Sequence, residues 1–276
     1  MENDSKIAIF GAGGLAGGAI LSKLSSKGYK SLICPSSRDL DLREQNDVRE
    51  WFRRNEVDYV FLAAALVGGI LSNKTRKAEF LHDNLMMQCN VIDSAYYSGV
   101  KKLLFLGSSC IYPAGRQHPL REDELLTGLL EPTNDAYAIA KIAGIKQCDF
   151  YREQYGFNAI SIMPPNLYGP GDHFNGESGH VLAALMNRFH LAKMGGYESV
   201  NCWGDGTAMR EFLFVDDLAD ASVFFMENYS ESGHINTGTG RDITIKELAE
   251  AIAKVVKYEG KILWDTTKPN GNPRKL

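Results

Sequence analysis

Gly11-Ala12-Gly13-Gly14-Leu15-Ala16-Gly17 decides the fold, because of what stands on either side of it. Before it runs the apolar segment Lys6–Phe10, and after it the chain from Gly14 to Lys27 has the spacing of a helix. The loop fits Gly-x-x-Gly-x-x-Gly at Gly11, Gly14 and Gly17. Glycines there allow a tight turn, close backbone approach to a pyrophosphate and close packing of helix on sheet, while the N–H groups of Leu15 and Ala16 open the helix toward an anion. The strand before and the helix after are the context that makes the motif a dinucleotide-binding loop.

Working outward, apolar runs at 31–34, 59–64, 102–106 and 159–163 lack polar alternation, and amphipathic stretches at 44–55, 80–98 and 136–155 separate them. Such runs, each followed by a helix of about ten residues or more, predict a parallel sheet covered on both faces, an α/β Rossmann-type doubly wound fold. After Pro164 the texture changes to loops, Pro164-Pro165-Asn166 and Tyr168-Gly169-Pro170-Gly171-Asp172, which mark a domain boundary. Helices near 180–193, 217–227 and 245–256, with short strands near 200–203 and 234–237, then suggest a chain that crosses between domains more than once. The expected division is 1–163 with 211–240 as the NADP-binding domain, and 164–210 with 241–276 as a smaller C-terminal α/β substrate-binding domain.

Composition narrows the class. The 276 residues are 44% hydrophobic and 23% charged with a net charge of −4, ordinary for a globular protein and unsuited to general nucleic-acid or anionic-membrane binding. The acidic start, Met-Glu-Asn-Asp-Ser-Lys, lacks the basic flank of a signal peptide, so a cytoplasmic location is expected. The apolar stretch 59–71 is short of the roughly 20 residues of a membrane span. Five cysteines without Cys-x-x-Cys or Cys/His spacing predict neither disulfides nor a metal site.

Three further groupings carry chemistry. Where an acid would bind an NAD ribose at the end of the second strand stand Ser36, Ser37 and Arg38, a set suited to a 2′-phosphate; Asp39 and Asp41 close by keep NAD as an alternative to NADP. Tyr137 and Lys141 lie four apart on one helix face, so the ammonium is expected to lower the phenol toward a value useful for protonating a carbonyl oxygen. Leu106-Gly107-Ser108-Ser109-Cys110 closes a strand with hydroxyls at the carboxyl end, where ligands bind in such sheets.

Glycine loop, strand-end serine and Tyr/Lys helix in this order resemble the extended short-chain dehydrogenase/reductase family. The resemblance tightens through Ala63–Gly69, Leu106–Pro113, Glu131–Asn134, Tyr137–Lys146, Asn166–Pro170, Arg210–Phe212 and Val215–Asp217 to its GDP-keto-sugar branch and runs from Lys6 to Leu276. It implies conversion of GDP-4-keto-6-deoxy-D-mannose to GDP-L-fucose, by epimerisation at C3 and C5 and then reduction of the C4 ketone with NADPH. It assigns Cys110 and His180 as the proton-exchanging pair, Tyr137 as proton donor with Ser108 on the same oxygen, and Lys141 as its partner and a ribose ligand. It places Leu106, Gly107, Ser109, Pro164, Asn166, Leu167 and His180 along NADP(H), and Arg188, Trp203 and Arg210 on the GDP-sugar. It also implies a homodimer.

Taken alone, Cys110 reads as a small buried residue, His180 as a surface or capping residue, Arg188 as a solvated charge and Trp203 as core. Three departures stand out: Gly13 where the family has Arg, Leu66 where Lys is common, and Pro165 where Thr is common. The chain stops at Gly271-Asn272-Pro273-Arg274-Lys275-Leu276 without a helical ending, where relatives continue, so a clipped substrate domain is expected. The alternatives are another nucleotide-sugar epimerase or dehydratase of this fold, and a catalytically silent NADP-binding module.

Overall fold

A computed structural model describes residues 1–174, 179–268 and 270–276. In chain order the elements are β1 (Ile7–Phe10), α1 (Leu15–Ser26), β2 (Leu32–Ile33), α2 (Gln45–Asn55), β3 (Tyr59–Leu62), α3 (Ile70–Thr75), α4 (Lys77–Tyr97), β4 (Lys102–Leu106), α5 (Asp135–Tyr155), β5 (Ala159–Met163), β6 (Asn166–Tyr168), α6 (Val181–Met194), β7 (Ser199–Trp203), β8 (Met209–Phe214), α7 (Val215–Asn228), β9 (His234–Asn236), β10 (Asp242–Thr244), α8 (Ile245–Val256), β11 (Lys261–Asp265) and β12 (Arg274–Lys275).

Six strands form one parallel sheet in the order β2-β1-β3-β4-β5-β9. The chain runs outward from β1 to β2, then returns to the other side for β3, so the order reverses beside β1. Alternate residues of the central strands feed two cores. Ala8, Phe10, Val60, Leu62, Leu103 and Phe105 pack with Val48 and Phe52 of α2, Val91 and Ile92 of α4, and Ile145 of α5. Ile7, Ile9, Phe61, Leu104, Leu106, Ile160 and Ile162 pack with Ile20 and Leu24 of α1 and Leu218 and Val223 of α7. All five residues of β4 are buried. Burial on both faces is why these strands read as continuous apolar runs.

Lys102, in the first position of β4, is 5% exposed and donates to the carbonyls of Phe225 (2.8 Å), Met226 (2.7 Å) and Tyr229. The ammonium thus satisfies the open C-terminal carbonyls of α7.

A third core joins Leu185 and Phe189 of α6, Val200 and Cys202 of β7, and Leu248, Ala249 and Ile252 of α8. Thr244 caps α8, accepting from Glu247 N at 3.0 Å while the Glu247 carboxylate accepts from Thr244 N at 2.8 Å. β7 pairs with β11, and β8 gathers β6, β10 and β12 around it.

The segments read as loops differ most. Asn166–Tyr168 forms β6, parallel to β8 with Asn166 opposite Phe212. The final hexapeptide carries β12, parallel to β8, and Arg274 Nε binds Asp242 Oδ2 at 2.6 Å. Three-residue and two-residue strands carry too few side chains for periodicity to register. Among the described residues, no helix is long and apolar enough to cross a membrane.

Candidate active site

Every strand of the large sheet delivers its carboxyl end to one edge, and the glycine loop sits where the order reverses. Gly11 has φ +91°, and a Cβ there would lie 2.6 Å from Ala64 N, the loop after β3. A Cβ on Gly17 would fall 2.1 Å from Gly11 O. Both positions therefore exclude a side chain. Gly14 meets only ordinary contacts and holds the turn through its N–H on Gly11 O at 3.0 Å. It is the N-cap of α1 and no side chain caps the helix, so the N–H groups of the first turn face an open edge. A Cβ on Gly13 meets nothing within 4 Å.

At the end of β2, Ser36 donates through N (3.1 Å) and Oγ (2.6 Å) to Asp39 Oδ2, which holds that carboxyl below its usual range. Asp41 is gripped by the Arg43 guanidinium at 2.7–3.2 Å and pulled down to about 2. Both nearby acids are thus engaged elsewhere. Arg38 has no carboxylate within 4 Å among the described residues, and Ser37 stands beside it. The cradle fits a dinucleotide carrying a 2′-phosphate, by the excluded Cβ positions of the loop and by the donors of this set.

Beyond β4, a Cβ on Gly107 would lie 2.2 Å from Met163 Cε, and Ser109 N donates to Pro164 O at 3.1 Å, tying the ends of β4 and β5 together. Ser108 opens a short turn, and its Oγ accepts from Cys110 N at 3.4 Å. Across from it, Lys141 Nζ donates to Leu106 O at 2.7 Å, 4.6 Å from the Phe105 ring and 5.7 Å from the Tyr137 ring. Gln88 Nε2 on Ala140 O at 2.5 Å fixes this stretch of α5.

The expected lowering of the phenol is not what the geometry gives. Burial pushes Tyr137 up, and the neighbouring Cys110 adds to the shift. Lys141 is itself brought down to about 8 by burial, and its hydrogen bond is to a carbonyl rather than to the phenol. A phenol held protonated at neutral pH is a proton donor in waiting.

A cavity adjoins this cluster. Its walls include Asn166, His180, Arg188, Trp203, Arg210 and Lys275. Asn166 Nδ2 donates to Glu211 O at 2.9 Å, and Leu167 packs into the second core. His180 is the N-cap residue of α6 but its side chain makes no cap; its Nδ1 lies 3.5 Å from Asp172 Oδ1. Arg188 Nη1 is held on Asn201 O at 2.6 Å. Lys268 Nζ lies 5.6 Å from the Trp203 ring. Arg210 is brought down to about 10 by burial, with Glu131 opposing that shift, and Nη2 reaches Asn270 O at 3.2 Å.

The cavity walls do not include Ser108, Cys110 or Tyr137. Lys275 joins the two groups: it lines the cavity, and its ammonium, pushed down by burial, is held up by Cys110 and by Glu131. Lys275 and Glu131 are absent from the residues singled out in the sequence. So are Asn84, whose side chain brackets Leu66 by accepting from its N at 2.8 Å and donating to its O at 3.0 Å, and Asn73, which donates to Gly68 O at 2.6 Å. A Lys-Arg pair after Pro273 and an Asn in each helix are weak signals alone; only proximity to the site gives them meaning.

Residues 7–238 match the model of the NAD dependent epimerase/dehydratase family. The chain belongs to that family. The motif resemblance to extended short-chain dehydrogenases is thereby borne out. Among epimerase/dehydratase relatives, GDP-L-fucose synthase 1 of Arabidopsis thaliana is 55% identical over 275 residues, covering 100% of this chain and 85% of that protein. GDP-L-fucose synthase of Escherichia coli K12 is 49% identical over 283 residues, covering 99% of this chain and 88% of that protein. The solved structure of a GDP-mannoheptose C4 reductase from Campylobacter jejuni with NADP bound superposes with a TM-score of 0.90 at 37% identity, covering 100% of this chain and 90% of that one.

Proposed function

We propose that this epimerase/dehydratase family member converts GDP-4-keto-6-deoxy-D-mannose to GDP-L-fucose by epimerisation at C3 and C5 followed by reduction at C4. The observation that carries the reading is the buried thiol of Cys110, two residues past Ser108 on the turn after β4 and close enough to act electrostatically on both Tyr137 and the cavity cation Lys275. A ketone reductase needs the phenol and the lysine; a buried thiol next to the phenol adds a group that can exchange protons with carbon. NADPH, cradled by Gly11, Gly14, Leu15, Ala16 and Gly17 with Ser37 and Arg38 on its 2′-phosphate, would supply the hydride for C4. Its other contacts are Leu106, Gly107, Ser109, Lys141, Pro164, Asn166, Leu167 and His180.

Cys110 and His180 work on the carbons flanking the ketone, one removing a proton and the other returning one. Inversion results when the returned proton arrives on the opposite face. Tyr137 and Ser108 donate hydrogen bonds to the C4 oxygen, which carries the enolate charge during exchange, and Tyr137 finally protonates that oxygen. Lys141, fixed on Leu106 O, holds positive charge behind the phenol. Arg188 and Arg210 pair with the diphosphate and Trp203 stacks on sugar or base. Lys275 adds a third cation to the same wall.

In this reading, residues 1–163 with 211–240 hold the cofactor, and 164–210 with 241–276 hold the nucleotide sugar. The enzyme works as a homodimer in the cytoplasm. Support for the dimer is the apolar surface of α4 and α5, where Tyr97 is 71% and Phe150 58% exposed. Five unpaired cysteines suit a reducing compartment.

The test is incubation with NADPH and GDP-4-keto-6-deoxy-D-mannose in deuterated water. NADPH oxidation with deuterium at C3 and C5 is expected. Oxidation without deuterium would leave only a reductase, and tight NADPH binding with neither would leave a silent binding module.

A further inference from the structure

We propose that Asp172 is the carboxylate that orients His180, making the two a positioning dyad on the cavity wall. This rests on the proton-exchange role given to His180 above. Asp172 sits at the end of a turn built to deliver it: its N–H donates to Gly169 O at 3.3 Å, Gly171 has φ +87°, and a Cβ on Gly169 would lie 2.6 Å from Val215 Cγ1. The turn is therefore pressed against the start of α7, and the Asp172 side chain is 5% exposed. Its Oδ1 accepts from His173 N at 2.8 Å and stands 3.5 Å from His180 Nδ1. Its Oδ2 is buried without a partner among the described residues.

A carboxylate that served only the turn would need Oδ1 alone. Beyond the turn, the carboxylate has room for a further donor, and the His180 imidazole, with Nδ1 3.5 Å from Oδ1, is the titratable donor beside it among the described residues. A neutral imidazole has two tautomers; a carboxylate at Nδ1 selects the one protonated there and leaves Nε2 free to face substrate carbon. When Nε2 takes a proton the ring becomes cationic, in a cavity already lined by Arg188, Arg210 and Lys275. The Asp172 charge offsets that repulsion. When Nε2 returns the proton to carbon, the Nδ1 proton stays shared with Asp172, so the ring ends as it began.

The variants are Asp172→Asn, which keeps the Oδ1 acceptor for His173 N, and Asp172→Glu; His180→Gln identifies both the His180 nitrogen signals and the carbon whose exchange that residue serves. In protein carrying nitrogen-labelled histidine, His180 should show Nδ1 protonated and should lose that preference in Asp172→Asn. Deuterium entry at the His180-dependent carbon should slow about 10–100-fold, the scale set by removing a carboxylate behind a working imidazole, with KM for the GDP-sugar within about twofold. Asp172→Glu should recover part of the rate.

An unchanged tautomer in Asp172→Asn, or an exchange rate within about twofold of the parent, overturns the dyad; so does a loss confined to KM. If the parent protein shows no exchange at either carbon, the proposed activity fails, and the tautomer measurement still decides the pairing of Asp172 with His180.

Discussion

The cofactor edge and the sugar cavity meet at Cys110 and Lys275, yet they are built in different ways. The cofactor edge is made of short contiguous loops, each directly following a strand, and its glycine loop is held by positions where a side chain meets backbone: Gly11 against Ala64 and Gly17 against Gly11. The cavity is made of single residues from distant stretches, Glu131, Asn166, His180, Arg188, Trp203, Arg210 and Lys275, of which Asn166, Arg188 and Arg210 are held by hydrogen bonds to backbone carbonyls. Sterically fixed loops fail abruptly when altered. Polar walls fail by degrees.

The largest effects fall where the two regions meet. Tyr137→Phe removes the proposed proton donor and should lower NADPH-dependent reduction about 10²–10⁴-fold, while deuterium entry at C3 and C5 persists at a reduced rate. Lys141 gives the same step a pH limb. Burial brings it to about 8, so its charge is present below that pH and lost as pH rises through it. The reduction rate should therefore fall above about pH 8, and Lys141→Arg should remove that limb; a profile that stays flat to pH 10 contradicts the role given to Lys141.

Next comes the steric side of the comparison. Gly17→Val would set its Cβ 2.1 Å from Gly11 O, against backbone that cannot move aside. Overpacking of this kind costs about 1–3 kcal/mol or more, and the shift of the loop away from its turn should also abolish measurable NADPH binding by titration. Gly14→Ala, whose Cβ would meet Gly11 O at 3.5 Å, should be tolerated far better. Equal loss in both would mean that backbone freedom, and not close approach, sets the loop.

These contrasts also explain what was legible in the sequence. The glycine loop, the parallel strands and the Tyr137/Lys141 pair could be read because each is local: a strand, then a turn, then a helix, with burial on both faces of β4 erasing any alternation. The same locality misled at Tyr137, where helix spacing implied a lowered phenol and tertiary burial raises it. At β2, Asp39 and Asp41 left the ribose selectivity open until Ser36 and Arg43 were seen to hold them. Lys275 and Asp172 were illegible for the opposite reason: β12 has two residues, and Asp172 gains its meaning only from the turn that sets it beside His180.

A polar wall is tested by Lys275→Met. The ammonium lines the cavity with Arg210 and Glu131, so its loss removes one cation from the proposed diphosphate wall and leaves Glu131 less compensated. Charged hydrogen bonds of this kind contribute about 1.5–3 kcal/mol, so KM for the GDP-sugar should rise about 10–100-fold with NADPH affinity unchanged. If NADPH affinity falls with it, the cavity and the cofactor edge are not separable in the way described.

The smallest expected effect is a gain. Gly13 lies in the cofactor loop, and the space that a Cβ would occupy there is empty, unlike that at Gly11 or Gly17. The family resemblance implies an arginine at that position. Gly13→Arg should therefore fit without moving the loop and add a guanidinium at the open N-terminal edge of α1. A solvent-facing charge pair is worth about 0.2–1 kcal/mol, which corresponds to NADPH binding about 1.4- to fivefold tighter at low salt and less so as salt is added. Titration of the variant at two ionic strengths checks it. A gain that ignores salt would have to come from stiffening the glycine turn, and would move Gly13 from the charged side of the comparison to the steric one.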